Sequence, residues 1–415
     1  MKNEKILIFS YYSNIAGACQ AEWIDDKIDG LLSGGKDISL ISSVSGNKSD
    51  MNILHMRIPS ISLVDYIDEL RRAHLAKDLL QLSIFIIFPF VLTLGVLLDL
   101  LLIIATRGVG EGRWSWLISA SIAGVYGALR FKPNKILTTG GPASAHLAGI
   151  IIGKLFSLPV ISELQDPMSG EGIGRNIQAK GWLYKVEKYI IHNANITVYV
   201  TDAAAKFAKK EFKTEKVRSM YPGAKNFGYK HVTNKNKVFK IVHLGSLYSG
   251  RSFDNIITAI DKMIKRGDIK ENDIELINLG HVSTEERCKI IGKSYVKIYK
   301  PIPRRKALEF ASKCNISLLI QHIDNRSKVT IPYKTYDYLN LGNHILALLR
   351  SNELTKLIKH HGHSALAIED TSQISKYLFD AMNNKAKIKK TKGIDYVAQA
   401  IQLVNTVKLS SNIEK

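Results

Sequence analysis

Short apolar runs alternate with helix-patterned segments along nearly the whole of this sequence, and the alternation starts twice. "KILIFSYY" opens the first series; helical spacing follows from Gln20 to Leu32 and stops at a turn ending in Gly35. "ISLIS" and "ILHMRI" come next. After a long apolar interlude the series resumes with "NKILTTGG", a helix through Lys154, "LPVISEL", a helix from Trp182 to His192, and "ITVYVT". The second series reads "FKIVHLGS", a helix from Phe253 to Lys265, "IELINLG", "VKIYK", a helix from Arg304 to Cys314, "ISLLIQ", a short helix after Pro332, and "HILALL". Strands buried on both faces read as near-continuous apolar runs, and helices between them imply parallel βαβ units. Between the series, Met220 to Lys237 is polar, basic and rich in turn residues, as a joint should be.

A chain of 415 residues is too long for one ordinary core. The expected fold is therefore α/β, with two Rossmann-like domains facing a central cleft. The boundaries read as 1–222 for the first domain, 223–237 for the linker and 238–395 for the second. An amphipathic segment over 396–415 is expected to return to the first domain.

The 58 Lys and Arg against 37 Asp and Glu leave a net charge of +21, which calls for an anionic partner. A nucleic-acid partner is set aside, because the basic residues form no recognisable module and do not interleave with aromatics. Three scattered cysteines (Cys19, Cys288 and Cys314) form no CxxC and point to a reducing compartment without a structural zinc site. No HxH, DxD or Cys/His cluster with metal-ligand spacing lies at the expected cleft, so no metal is expected there. The basic opening "MKNEKILIFSYYSN" is broken at Ser10 and shows no small-residue cleavage site, so it reads as a first strand.

In an open parallel sheet, ligands bind beyond the carboxyl ends of strands, often at helix N-termini. Two loops of the second series fit. In "HLGSLYSGRSFDNI", Gly245 and Gly250 allow close backbone approach, Ser246 lies between them, and Arg251 precedes a helix. In "IPYKTYDYLNLG", Pro332 suits the first turn of a helix and Gly342 its stop. Lys334, Asp337 and Tyr338 stand three and four residues apart, hence on one face. A lysine there could hold a diphosphate, and a carboxylate one turn on could accept from a ribose diol; an exposed ion pair is the plainer reading of the same spacing. In the first series, "TTGGPASAH" carries Gly141 in a glycine turn, and "SELQDPM" ends a strand with Gln165 and Asp166. Asp166 before Pro167 equally suits a turn cap, and His146 reads as structural.

Taken together these blocks resemble the GT-B glycosyltransferases of the large family-4 type, retaining enzymes that use nucleotide sugars. That family often shows P-x-K-x-x-E-Y-L-x-x-G-x-P-x-L-A, and "PYKTYDYLNLGNHILA" is similar to it, with Asp337 in place of Glu and His344 in place of Pro. "HLGSLYSGRSFDNIITAI" resembles its donor-phosphate loop, with Ser246 at a position often held by Arg and Arg251 at one often held by Lys. "GGPASAHLAG", "LPVISELQDP" and "WLYKVEKYIIHNANITVYVT" resemble its first-domain blocks, so the likeness spans nearly the whole chain. Three further features depart from the pattern. Val329 stands where the first of two paired glutamates would fall, Gln165 lies near the place of a donor-contacting histidine, and the first loop has Gly17 alone.

The resemblance implies a hexosyltransferase-like enzyme acting on a nucleotide-diphosphate sugar as co-substrate, with no resident cofactor. Gly245, Ser246, Arg251, Lys334, Asp337 and Tyr338 would bind the donor. Arg251 and Lys334 would neutralise the leaving diphosphate, which is electrostatic catalysis without a metal. Asp166 would orient the acceptor hydroxyl, and Gly17, Gly141 and Gln165 would lie on the acceptor side. The same fold also serves sugar-nucleotide epimerases and could persist in a non-catalytic scaffold.

The apolar interlude completes the reading. From Leu79 to Leu98, "LLQLSIFIIFPFVLTLGVLL" carries no formal charge, and a second apolar stretch runs from Trp114 to Leu129. Twenty such residues can cross a bilayer. A single crossing would place strands of one sheet on opposite sides of the membrane. A shallowly inserted helical pair within about 79–129 is the expected arrangement, ahead of burial in the domain or a two-pass hairpin. Arg71, Arg72, Lys77, Arg107 and Arg113 flank it as if near anionic headgroups, and Trp114 and Trp116 suit a membrane interface. The expected setting is cytoplasmic, peripheral at the inner face of the cell membrane, with a lipid-linked or polysaccharide acceptor.

Overall fold

A computed structural model describes residues 3–15, 17–76, 89–106, 108, 112–169, 177–229, 238–248, 250–383 and 393–407. The chain divides into two compact units, one of Met1–Pro222 with Asp395–Lys415 and one of Gly223–Ile394.

In the first unit the described elements run β1 (Lys5–Phe9), α1 (Cys19–Ser33), β2 (Asp37–Ser42), β3 (Leu54–Arg57), α2 (Leu63–Ala76), α3 (Pro89–Thr106) and α4 (Trp116–Phe131). They continue with β4 (Lys135–Gly140), α5 (Ala143–Leu155), β5 (Val160–Leu164), α6 (Ile177–Asn193), β6 (Ile196–Tyr199), α7 (Asp202–Phe212) and β7 (Val217–Ser219). The strands form an all-parallel sheet in the order β3-β2-β1-β4-β5-β6-β7. Its central strands are buried almost throughout, as in a sheet covered on both faces: Ile6, Leu7, Ile8 and Phe9 of β1 and every residue of β4 and β5 are buried.

The second unit contains β8 (Phe239–Leu244), α8 (Asp254–Lys265), β9 (Ile274–Leu279), α9 (Thr284–Ile290), β10 (Val296–Tyr299), α10 (Arg304–Ser312) and β11 (Ile316–Ile320). After these come α11 (Lys334–Leu341), β12 (His344–Leu349), α12 (Asn352–His360), β13 (Ser364–Ala367) and α13 (Thr371–Met382). Its sheet is also parallel, ordered β10-β9-β8-β11-β12-β13. Both units are Rossmann-like, the fold class expected from the alternation. The sequence reading passed over α7, β7, α9, α12, β13 and α13, the shorter and more polar elements toward the sheet edges. Their starts are nonetheless written in cap residues: Thr201, Ser283, Ser351 and Asp370 each accept from a backbone N–H of the helix they precede.

The final helix, α14 (Tyr396–Asn405), belongs to the first unit. Ala400, Leu403 and Val404 enter the same core as Ile24, Ile28 and Leu31 of α1. Two polar contacts fix it: the Tyr396 hydroxyl donates to Asp29 (2.7 Å) and Lys135 Nζ donates to the carbonyl of Val404 (2.8 Å). Within the stretch read as a linker, residues 223–229 lie against the second unit. The Asn340 amide donates to the carbonyl of Ala224 at 2.7 Å, and Phe227 stacks under the guanidinium of Arg304. Residues 230–237 are outside the described residues.

The apolar interlude is described only from Pro89 onward; Phe85, Phe88, Lys77 and Arg107 lie outside the described residues. No described helix is long and apolar enough to cross a membrane. Two features differ from expectation. Trp114 and Trp116 do not face outward: Trp116 is fully buried, donating from Nε1 to the carbonyl of Ile58 (2.9 Å), and Trp114 packs edge-on against Trp182. Arg113 does not flank a headgroup either, because two carboxylates of α2 hold it, Asp65 at 3.0 Å and Asp68 at 2.6 Å. These residues anchor the α3–α4 connection to the domain. The outward faces of the same helices are apolar, with Leu100, Leu101 and Ile104 of α3 and Ile122 and Leu129 of α4 all more than half exposed.

Candidate functional site

The strand orders place a topological switch point in each unit, between β1 and β4 in the first and between β8 and β11 in the second. At such a point successive loops leave in opposite directions and open a crevice at the carboxyl edge of the sheet. In the second unit the crevice is floored by glycine. Gly245 follows β8 at φ +111°, and a Cβ there would stand 3.1 Å from the Lys334 ammonium. Gly280 follows β9 at φ +153°, and a Cβ there would overlap the Gly245 carbonyl oxygen at 2.2 Å. Only two glycines let these strand ends lie so close, and Gly280 was not singled out from sequence.

The loop after Gly245 closes on itself. Tyr248 and Arg251 exchange backbone hydrogen bonds of 3.2 and 2.7 Å, and the Arg251 guanidinium lies over the Tyr248 ring. The loop is tied to the end of β11 by Ile323 N–H donating to the Gly250 carbonyl (3.2 Å). Ser246 is half-buried within it. Opposite, α11 begins just after Pro332 and ends at Gly342, whose φ of +75° is the left-handed stop expected of it.

The three residues expected on one face of α11 divide between two neighbours. Lys334 Nζ donates to His243 Nε2 at 2.8 Å, so it meets β8. Tyr338 meets β8 as well: its buried hydroxyl oxygen accepts from the Leu244 N–H at 2.8 Å, which makes it part of the scaffold beneath the crevice. Asp337 faces α10, where Arg304 grips it through Nη2 (2.6 Å) and Nε (3.2 and 3.3 Å). The exposed Lys334–Asp337 pair allowed by spacing is thus replaced by a buried pair between residues 33 positions apart.

Cations converge on this crevice. Burial, together with the charges of Arg251 and Arg326, holds the His322 imidazole down at about 4, and Lys334 adds to the effect. Burial, then Lys334, depresses His243 well below the usual imidazole range. Both rings are therefore neutral near pH 7, set among Arg251, Arg326 and Lys334. Arg326 is itself paired with Asp324 at 2.6 Å. Glycine-lined backbone, a helix start and several cations are what a polyphosphate needs.

Solved structures share this architecture. The HepE protein of Anabaena, solved with UDP and glucose, aligns at a TM-score of 0.62 with 12% identity, covering 99% of this chain and 100% of its own. Sucrose-phosphate synthase of Thermosynechococcus elongatus aligns at 0.58 with 11% identity over 98% of both chains. UDP-GlcNAc 2-epimerase of Methanocaldococcus jannaschii aligns at 0.51 with 12% identity, over 98% and 99%. The fold is GT-B-like. No family model and no curated protein sequence matches the chain.

The first unit of this GT-B-like chain has its own opening at the β1–β4 switch point. A pocket of about 260 Å³ is lined by Tyr12, Gln20, Gly112, Arg113, Gly141 and Met168, among others. Gly141 is one of the residues expected on the acceptor side. Gly17 lies exposed at φ +76° in the loop leading to α1. Gln165 is buried after β5, and its Nε2 has no hydrogen-bond partner among the described residues. Asp166, next to it, is exposed. Glu163, two residues earlier, was not singled out; it is buried against Lys27 and accepts from the Thr139 hydroxyl at 2.5 Å. His146 is structural: its Nδ1 meets Thr138 at 2.8 Å beneath the sheet edge.

Proposed function

We propose that this chain is a retaining glycosyltransferase that moves a sugar from a nucleotide-diphosphate sugar to a membrane-linked saccharide acceptor during cell-surface polysaccharide synthesis. The observation that carries this is the convergence of Arg251, Arg326 and Lys334 on His322 at the switch point between β8 and β11, beside the glycine-lined end of β8. The likeness to HepE, a protein solved with UDP and glucose, supports it. In this reading the diphosphate lies along Gly245 and Ser246. Lys334 and Arg251 stabilise the charge that grows on it as the glycosidic bond breaks. Asp337, oriented by Arg304, accepts from the ribose diol, and Tyr338 holds β8 in place beneath. Asp166 orients the acceptor hydroxyl beside Gly141, Gln165 and Gly17. Because side chains carry the charge, turnover is expected to persist in excess chelator, and activity that returned only with magnesium or manganese would count against this assignment.

The first unit supports the acceptor class in this reading: Gly112 and Arg113, from the connection between α3 and α4, contribute to the wall of its pocket. Those helices present apolar side chains outward, which fits an enzyme lying peripherally on the cytoplasmic leaflet and meeting an acceptor on a lipid. Flotation with anionic vesicles tests this part. Binding should weaken but persist as salt rises, each basic residue near the surface contributing about 1 kcal/mol. Replacing Leu100, Leu101 and Ile104 by Ser should abolish the salt-resistant remainder. A wild-type protein that never floats would remove the membrane from the proposal.

Calorimetric titration with UDP and a panel of nucleotide sugars tests the donor site. Lys334→Ala should weaken nucleoside-diphosphate binding by about 1.5–3 kcal/mol, the scale of a charge-assisted hydrogen bond. Unchanged binding would overturn the site. Release of nucleotide only when a saccharide acceptor is added separates transfer from epimerisation, in which the nucleotide sugar is consumed without an acceptor.

A further inference from the structure

Behind Lys334 lies a chain of buried polar groups that the donor-site reading does not use. Asn278, fully buried in β9, donates from Nδ2 to the carbonyl of Gly280 at 3.2 Å, which sets the direction of its amide. Its Oδ1 is 2.7 Å from His243 Nδ1, so that nitrogen carries the proton and donates. The far nitrogen, Nε2, then has its lone pair toward Lys334 Nζ at 2.8 Å. Every link has one possible direction, because an ammonium cannot accept and an amide oxygen cannot donate. Two polar side chains buried at 0% in neighbouring strands are costly unless satisfied, and here each satisfies the next.

We propose that Asn278 and His243 form a positioning relay that fixes where Lys334 presents its ammonium to the donor diphosphate. The proposal rests on the donor-site reading above and deepens it. Neither residue need touch the nucleotide; both act through Lys334. One proton of the ammonium is committed to His243, which holds the flexible four-carbon stem in a single direction over Gly245. The groups facing the imidazole are Lys334 from α11, Arg251 from the loop after β8, Asn278 from β9 and the Phe253 ring, T-shaped to it with centroids 5.8 Å apart. With two cations and one neutral amide among them, this setting keeps His243 an acceptor.

A double-mutant cycle on UDP affinity tests the relay. His243→Leu should weaken UDP roughly tenfold, the loss of one positioning hydrogen bond, and His243→Gln, which keeps an acceptor, should recover much of it. In a Lys334→Ala background His243→Leu should do nothing further, since the residue it positions is gone. Equal weakening in both backgrounds, or none in either, would overturn the relay while leaving the donor site standing. UDP binding that ignores Lys334→Ala would overturn the donor site, and the relay with it. Should His243→Leu fail to fold, Asn278→Asp decides. A carboxylate at 278 favours the imidazolium, which repels Lys334, so the ratio of wild-type to variant UDP affinity should grow several-fold from about pH 8 to pH 6. A ratio constant with pH would refute the proposal.

Discussion

At the divide between β8 and β11, Arg251, Arg326 and Lys334 surround two imidazoles, His243 and His322, that burial and these charges keep neutral. The first unit, built on the same parallel plan, gathers carboxylates instead. Glu69 is fully buried and receives hydrogen bonds from Tyr11 (2.8 Å) and from Ser60 (2.9 and 2.6 Å); burial lifts it to about 7. Glu187, also lifted by burial, accepts from Tyr199 at 2.5 Å, and Glu163 is paired with Lys27. One architecture thus supports two electrostatic settings. The second unit concentrates positive charge at its switch point, and the first holds its buried acids in hydrogen bonds and an ion pair.

Acid should pull the two units apart. A histidine whose folded pKa lies below its unfolded value costs stability as pH falls through the window between them. A glutamate raised above its unfolded value adds stability as pH falls. In the second unit His243, His322, His344 and His363 are all lowered, the last three to about 4. In the first unit His55 and His146, also near 4, are offset by the raised Glu69 and Glu187. Between about pH 6.5 and pH 4.5 the second unit should lose several kcal/mol that the first largely keeps. Hydrogen exchange should show β8 and β11 amides losing protection before those of β1 and β4. Simultaneous loss would break the contrast.

Next in size is Lys27→Met, which strands Glu163 in the first unit without its cation. Breaking one partner of a buried pair typically costs about 3–5 kcal/mol. Urea unfolding should show the first unit's transition shifted by that amount, with UDP affinity unchanged. An unshifted transition would mean the pair is solvated. Smaller again is Tyr338→Phe, which leaves the Leu244 N–H buried without its acceptor. The expected cost is about 1–3 kcal/mol, confined to the second unit. If UDP affinity fell while stability held, Tyr338 would be a contact residue and not the scaffold described above.

The alternation of apolar runs was enough to read both Rossmann-like units, because parallel strands must be apolar on both faces. Gly245, Lys334 and Gly342 were legible for local reasons, a strand end, a helix start and a helix stop. What sequence spacing could not show was contact between distant segments. Arg304 and Asp337 meet although α10 and α11 are separated by a whole strand. Arg113 lies beside arginines that read as a membrane flank, yet Asp65 and Asp68 claim it. His243 and Asn278 left only a faint mark, a polar residue two positions before the closing glycine of "IVHLG" and "LINLG". That repeated position is the signal that could have found them.

The closing of α14 onto α1 gives the polypeptide an order of assembly. The second unit is one continuous stretch, Gly223–Ile394, and all of its strands have been synthesised before Tyr396 leaves the ribosome. The first unit begins earlier, yet Ala400, Leu403 and Val404 of its core arrive only afterwards. On a chain made at roughly 5–20 residues per second, the unit translated first is therefore the one completed last. Until then α1 carries an uncovered apolar stripe, which makes the nascent first unit, and not the second, the natural client of a chaperone.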